Sequence, residues 1–112
     1  FRPVQGSLHK YDALLMPPLT RTALPIGNNL YDPIDIDGQA MPEVRAAWFP
    51  YTMPFNLTGH PAITMPVGLA TDCLPLAVQL VGQFRRDADL LRLAATLEAR
   101  SGWNGRIAGE PQ

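Results

Sequence analysis

The stretch Tyr51-Thr-Met-Pro-Phe55-Asn56-Leu-Thr-Gly59-His60-Pro61-Ala-Ile-Thr-Met-Pro66-Val-Gly68, continued by Leu74-Pro75-Leu-Ala-Val-Gln79-Leu80-Val81-Gly82, decides the fold of this chain. Ile63, Met65, Val67 and Leu69 alternate with Ala62, Thr64, Pro66 and Gly68, the period of a strand with one heavily packed face. Leu76, Val78 and Leu80 repeat that period before Gly82. The spacing predicts antiparallel strands near 62–69 and 76–82, joined across Ala70 to Pro75. Pro66 has no N–H to give, so its nitrogen must face away from a ladder partner.

Working outward, Leu90, Leu93, Ala94 and Leu97 recur at helical spacing and predict a helix near 88–101. Asp87 is placed to cap it, Asp89 and Arg100 suit its two dipole ends, and Gly102 is placed to stop it. Upstream, Tyr11 to Met16 is a short apolar run halted by Pro17-Pro18, which predicts a strand near 11–16. Prolines 17, 18, 25, 33, 42 and 50 leave few windows for a helix between them. Residues 17–50 are therefore expected to be a long irregular stretch draped over a partner surface or over more of the same polypeptide. The Gly- and polar-rich tail from Trp103 to Gln112 is expected to fray.

The 112 residues carry 46% hydrophobic residues and a net charge of -1, which suits a single segment of globular protein and not a disordered chain. So near-neutral a balance supplies no attraction to phosphate backbones or anionic lipid, which sets aside nucleic acid and membrane as partners. There is no apolar run of membrane-spanning length and no basic start leading into a hydrophobic signal segment. Cys73 stands alone, in keeping with a reducing, cytoplasmic setting. No cofactor or metal is implied: Asp35-Ile-Asp37-Gly38 only partly matches a calcium loop, whose end ligands would be Pro33 and Val44. Ser7, His9 and Asp12 lie too close in sequence to read as a hydrolytic triad.

Trp48, Phe49, Tyr51 and Phe55 crowd aromatic surface into eight positions, enough to line an apolar pocket or to cover a core edge. His60, between Gly59 and Pro61, either satisfies loop backbone or projects into a pocket. Trp48, Phe49, Phe55, Asn56 and His60 are the candidate pocket residues.

These blocks, in this order over residues 11–99, resemble the carboxy-terminal region of the amidase signature family: the aspartate-bearing Tyr11-Asp12-Ala-Leu-Leu-Met-Pro17, the Pro54-Phe-Asn56-Leu-Thr-Gly59-His-Pro61 turn, Leu74-Pro75 with Gln79-Leu-Val-Gly82, and Leu90-Leu91-Arg92. The resemblance implies an α/β fold, a fragment of that family's mixed sheet, and a parent that hydrolyses amides with a serine nucleophile, a second serine in a cis peptide and a lysine base. Those residues lie upstream in the family. Here the only lysine is Lys10 and the only serines are Ser7 and Ser101, so no catalytic residue is assigned and the chain alone is expected to be inactive.

Two departures from the family pattern carry weight. Relatives commonly place Asp-Gly where this chain has Asp72-Cys73, so either Cys73 is strained or the loop takes another path. The A subunit of glutamyl-tRNA amidotransferase has an aspartate that recognises the amino group of glutamine, and that position is Phe49 here. A phenylalanine has no charge for an ammonium, which favours a general amidase acting on a small apolar or aromatic amide. The alternatives are a noncatalytic interaction module built on the amidase scaffold and that amidotransferase subunit. The start at Phe1 points to a piece of a longer product, whose remainder is the expected partner; a free-standing segment would hide its orphaned apolar faces in a homodimer.

Overall fold

A computed structural model describes residues 2–103. In chain order the elements are α1 (Arg2–Leu8), β1 (Leu14–Met16), β2 (Ile34–Ile36), β3 (Gln39–Met41), α2 (Val44–Ala47), α3 (Met53–Thr58), β4 (Ala62–Leu69), β5 (Pro75–Val81) and α4 (Asp87–Ser101). The fold is mixed α/β, as expected. The frayed tail expected beyond Trp103 lies outside the described residues.

β5 is the middle strand of a three-stranded antiparallel sheet ordered β1-β5-β4. Ile63 faces Leu80 and Met65 faces Val78, so the alternating apolar residues of both strands fall on one face. There they meet Leu90 and Ala94 of α4, and Met65, Leu80, Leu90 and Ala94 form the main core. The ladder shifts between Pro66 and Gly68. A bulge at a proline on an edge strand costs least, because no interior ladder bond is lost. β1 begins at Leu14 and not at Tyr11, since Leu14 pairs with Val81 and the next residue, Gly82, gives its N–H to Pro61. Residues before Leu14 thus have no strand to pair with.

The connection after β4 closes with Cys73 N–H on Ala70 C=O at 2.9 Å and Ala70 N–H on Leu74 C=O at 2.9 Å. Cys73 stands at φ 62, the left-handed region, so the strained alternative holds. α4 ends on Gly102 at φ 67, as its position predicts. Its start differs: the cap is Arg86, without a side-chain bond, and Asp87 lies inside the first turn. A turn through Arg85 at φ 61 ties Arg86 N–H to Gln83 C=O, so helical geometry begins one residue early.

Five elements were not expected: α1, β2, β3, α2 and α3. α1 buries Leu8 completely. α3 occupies what reads as a turn, with Pro54 in its first turn and Gly59 at φ 69 ending it, the asymmetry a short helix favours. Inside 17–50, β2 and β3 pair through Asp37 and Gly38, both at positive φ, which makes a two-residue type I′ hairpin. Asp35 and Asp37 therefore serve a turn, with Asp35 Oδ1 accepting the Gly38 N–H at 3.2 Å. This hairpin and α2 build a satellite core of Ile34, Val44 and Ala47, against which Leu24, Ile36 and Trp48 pack.

Gly82 marks the closest approach of strand and helix: a Cβ there would stand 3.2 Å from the Leu90 Cβ. Gly82→Ala is expected to lower stability by about 1–3 kcal/mol, whereas Cys73→Gly is expected to raise it by about 1 kcal/mol through relief of the left-handed turn. Urea unfolding midpoints of the two variants, read against the parent chain, check both signs.

Candidate functional site

His60 follows the glycine that ends α3, and this places its ring under α1 instead of in solvent. The residue is only 5% exposed. Nδ1 lies 2.9 Å from Thr58 Oγ1 and Nε2 lies 3.0 Å from Gln5 Oε1. The Phe84 ring stands edge-on at 6.0 Å. Burial disfavours the imidazolium and holds the His60 pKa below its usual 6.5. The ring thus couples α1 to the start of β4 across 55 positions of sequence. Gln83 adds a second tie, giving its amide N–H to Leu8 C=O at 2.8 Å.

Trp48 and Phe49 lie elsewhere. Trp48 ends α2, its N–H on Val44 C=O at 2.8 Å. Its indole packs on the satellite core and directs Nε1–H at the Arg21 carbonyl, 3.4 Å away. Thr20 Oγ1 donates to Ala47 C=O at 2.7 Å and so brings the loop after β1 onto the end of α2. Phe49 is half-buried, its ring edge-on to Trp48 with centroids 6.4 Å apart. On α3, Phe55 is buried and Asn56 exposed, as neighbours on a helix divide. The structure brings Trp48 and Phe49 together and puts His60 in a separate cluster with Gln5 and Phe84.

Two hollows border these residues. An apolar one of about 460 Å³, open to solvent on one side, is lined by the Pro17 to Ala23 loop, Trp48 and Pro75 to Ala77 of β5. A polar cleft of about 310 Å³ lies beside the start of α4, lined by Asp12, Gln83, Arg86, Asp89 and Leu93. Asp89 there pairs with Arg86 and Arg92, and the hydrogen bond from Arg86 holds its carboxyl below the usual range. Exposed as they are, these pairs contribute little to stability. Neither the role of Arg21 nor that of Gln5 shows in the sequence, because both depend on partners far along the chain: Asp35 and Trp48 for Arg21, His60 for Gln5.

Ser7 Oγ–H turns back to Pro3 C=O and Ser101 Oγ–H to Glu98 C=O, each within its own helix. Ser7, His9, Lys10 and Asp12 are all exposed. Among the described residues no group of three or more His, Cys, Asp or Glu could hold a metal ion, and no helix is long and apolar enough to cross a membrane.

The amidase family profile matches residues 2–91. Over 105 residues the chain is 35% identical to a 6-aminohexanoate-cyclic-dimer hydrolase of Pseudomonas sp. (strain NK87), a match covering 91% of this chain and 21% of that protein. Over 92 residues it is 42% identical to the A subunit of the glutamyl-tRNA(Gln) amidotransferase of Desulforamulus reducens, covering 82% of this chain and 17% of that protein. A crystal structure of an amidase superposes with a TM-score of 0.74 at 31% identity, over 84% of this chain and 20% of that one. The chain thus spans about a fifth of the length of the proteins it matches.

Because the folded pKa of His60 is lowered, its contribution to stability is complete above the unfolded value near 6.5 and is lost as pH falls through the folded value. The urea midpoint is expected to drop between about pH 7 and pH 5, and His60→Gln is expected to flatten that drop; parallel slopes in parent and variant would contradict the assignment.

Proposed function

From the premise that this chain belongs to the amidase family, we propose that it is the carboxy-terminal part of an amidase that hydrolyses a carboxylic amide to an acid and ammonia or an amine. One observation carries the reading: the family match runs from residue 2 to 91, while the relatives it matches are about five times as long. In this reading β1, β4 and β5 belong to the parent's larger sheet, and the Trp48 to Asn56 region borders the substrate pocket. Support comes from surfaces that a complete domain would cover. Leu15 and Leu91 stand 65% and 58% exposed on or beside the sheet, and the outer edges of β1 and β4 have no strand beyond them among the described residues.

The chain holds no match to the family's paired serines and lysine base, so the remainder of the polypeptide supplies nucleophile, base and oxyanion donors. The 42% identity to an amidotransferase protein favours a second reading, in which the amide is glutamine. Phe49 weighs against it. Half-buried and edge-on to Trp48, it offers an ammonium no carboxylate and suits an apolar or aryl amide.

The purified 112-residue chain is expected to release no ammonia or amine from aliphatic, aryl or glutamine amides, and serine-dependent release would refute the division of labour. The intact polypeptide from the native source is expected to have several times the mass of this chain and to prefer simple amides. A native mass equal to that of the chain would transfer the assignment to a noncatalytic module, and a preference for glutamine would transfer it to the amidotransferase.

A further inference from the structure

Among the described residues, the apolar hollow beside Trp48 has one charged lining residue. Pro17, Pro18, Leu19, Pro75 and Leu76 give it hydrocarbon walls and Trp48 gives it an aromatic one, while Arg21 stands at its border. Arg21 is held in place at two points. Its carbonyl accepts the Trp48 indole N–H at 3.4 Å, and its Nη1 donates to Asp35 C=O at 2.8 Å. That second bond uses one of the five N–H donors of a guanidinium. Among the described residues Arg21 has no carboxylate partner, whereas Arg86 and Arg92 both pair with Asp89. Of the carboxylates near this loop, Asp72 has its oxygens engaged by the Thr22 hydroxyl at 3.2 Å and the Leu74 N–H at 3.2 Å, and Asp35 Oδ1 accepts the Gly38 N–H at 3.2 Å.

A hollow of about 460 Å³ is within the size range of small-molecule sites, which are mostly apolar with a few polar groups fixing orientation. The charge it presents is positive, planar and suited to two-pronged contact with a carboxylate. The geometry points to a site for an amphipathic monocarboxylate: an aryl or alkyl body lying against Trp48 and the proline walls, its carboxylate on Arg21. The Nη1 bond to Asp35 C=O reduces the rotamer freedom that an exposed arginine would otherwise lose on binding, while the Trp48 indole fixes the Arg21 backbone. The site stands on this geometry alone and would persist whether or not the parent cleaves amides.

The full chain, labelled with ¹⁵N, is titrated with 4-phenylbutyrate, 4-phenylbutan-1-ol and 4-phenylbutylamine while the two tryptophan indole signals are followed. The acid is expected to shift the Trp48 signal saturably and leave that of Trp103 unmoved. It is expected to bind on the order of ten-fold more tightly than the alcohol. Arg21→Gln is expected to reduce the acid to the alcohol's affinity without changing the alcohol's. Equal binding of acid and alcohol, preference for the amine, or an unmoved Trp48 signal would overturn the assignment. If Arg21→Gln fails to fold, added salt decides with the unaltered chain: it must weaken the acid and spare the alcohol, and an unchanged acid affinity refutes the site.

Discussion

Pairing of β5 on both edges is the constraint on which the rest of this structure depends. With β4 along its whole length on one side and β1 against Gln79–Val81 on the other, it is held in place, and this fixes the register of both neighbours. Register then sorts the side chains. Leu80 and Val78 go to α4, while Gln79, on the opposite face, gives its amide N–H to Tyr51 C=O at 3.2 Å. Gly82 ends the strand without a side chain, and α4 can therefore return closely over the sheet.

Distant segments are joined to this sheet by buried or half-buried amides and one imidazole more than by salt bridges. Gln79 reaches Tyr51, Gln83 reaches Leu8, and His60 reaches Gln5. Each is a directional bond shielded from water, where loss of one partner leaves a polar group stranded. Among the described residues no buried side-chain nitrogen or oxygen lacks a partner. The Asp89 pairs with Arg86 and Arg92 lie in solvent and affect the start of α4 alone.

The body built this way is broad. Its radius of gyration is 15.8 Å, against about 13 Å for a compact domain of this length. Two small cores share the burial: one lies under α4 and the other under the β2–β3 hairpin. Between them the loop after β1 crosses the end of β5, and the hollow bordered by Trp48 and Arg21 forms there. A hollow at such a seam follows from geometry, because two convex cores meeting across a loop leave concave space.

The sequence by itself determined β4, β5 and α4, since each carries its own period and its own stops: alternation into Gly82, and helical spacing into Gly102. It also determined the family likeness, which rests on the same blocks. The β2–β3 hairpin left a signal too, in Asp37-Gly38 between Ile34-Asp-Ile36 and Gln39-Ala-Met41, although the prolines around it make the stretch read as irregular. α3 was half legible, through Pro54 and Gly59 at its ends. Tertiary structure alone decided where the candidate pocket residues went. Trp48 joined the satellite core with Phe49 edge-on to its ring, whereas Phe55 and His60 were buried and Asn56 was left outside. Only tertiary structure could place Gln5 on His60 or Arg21 on Trp48, because bonds between residues tens of positions apart leave no local periodicity to read.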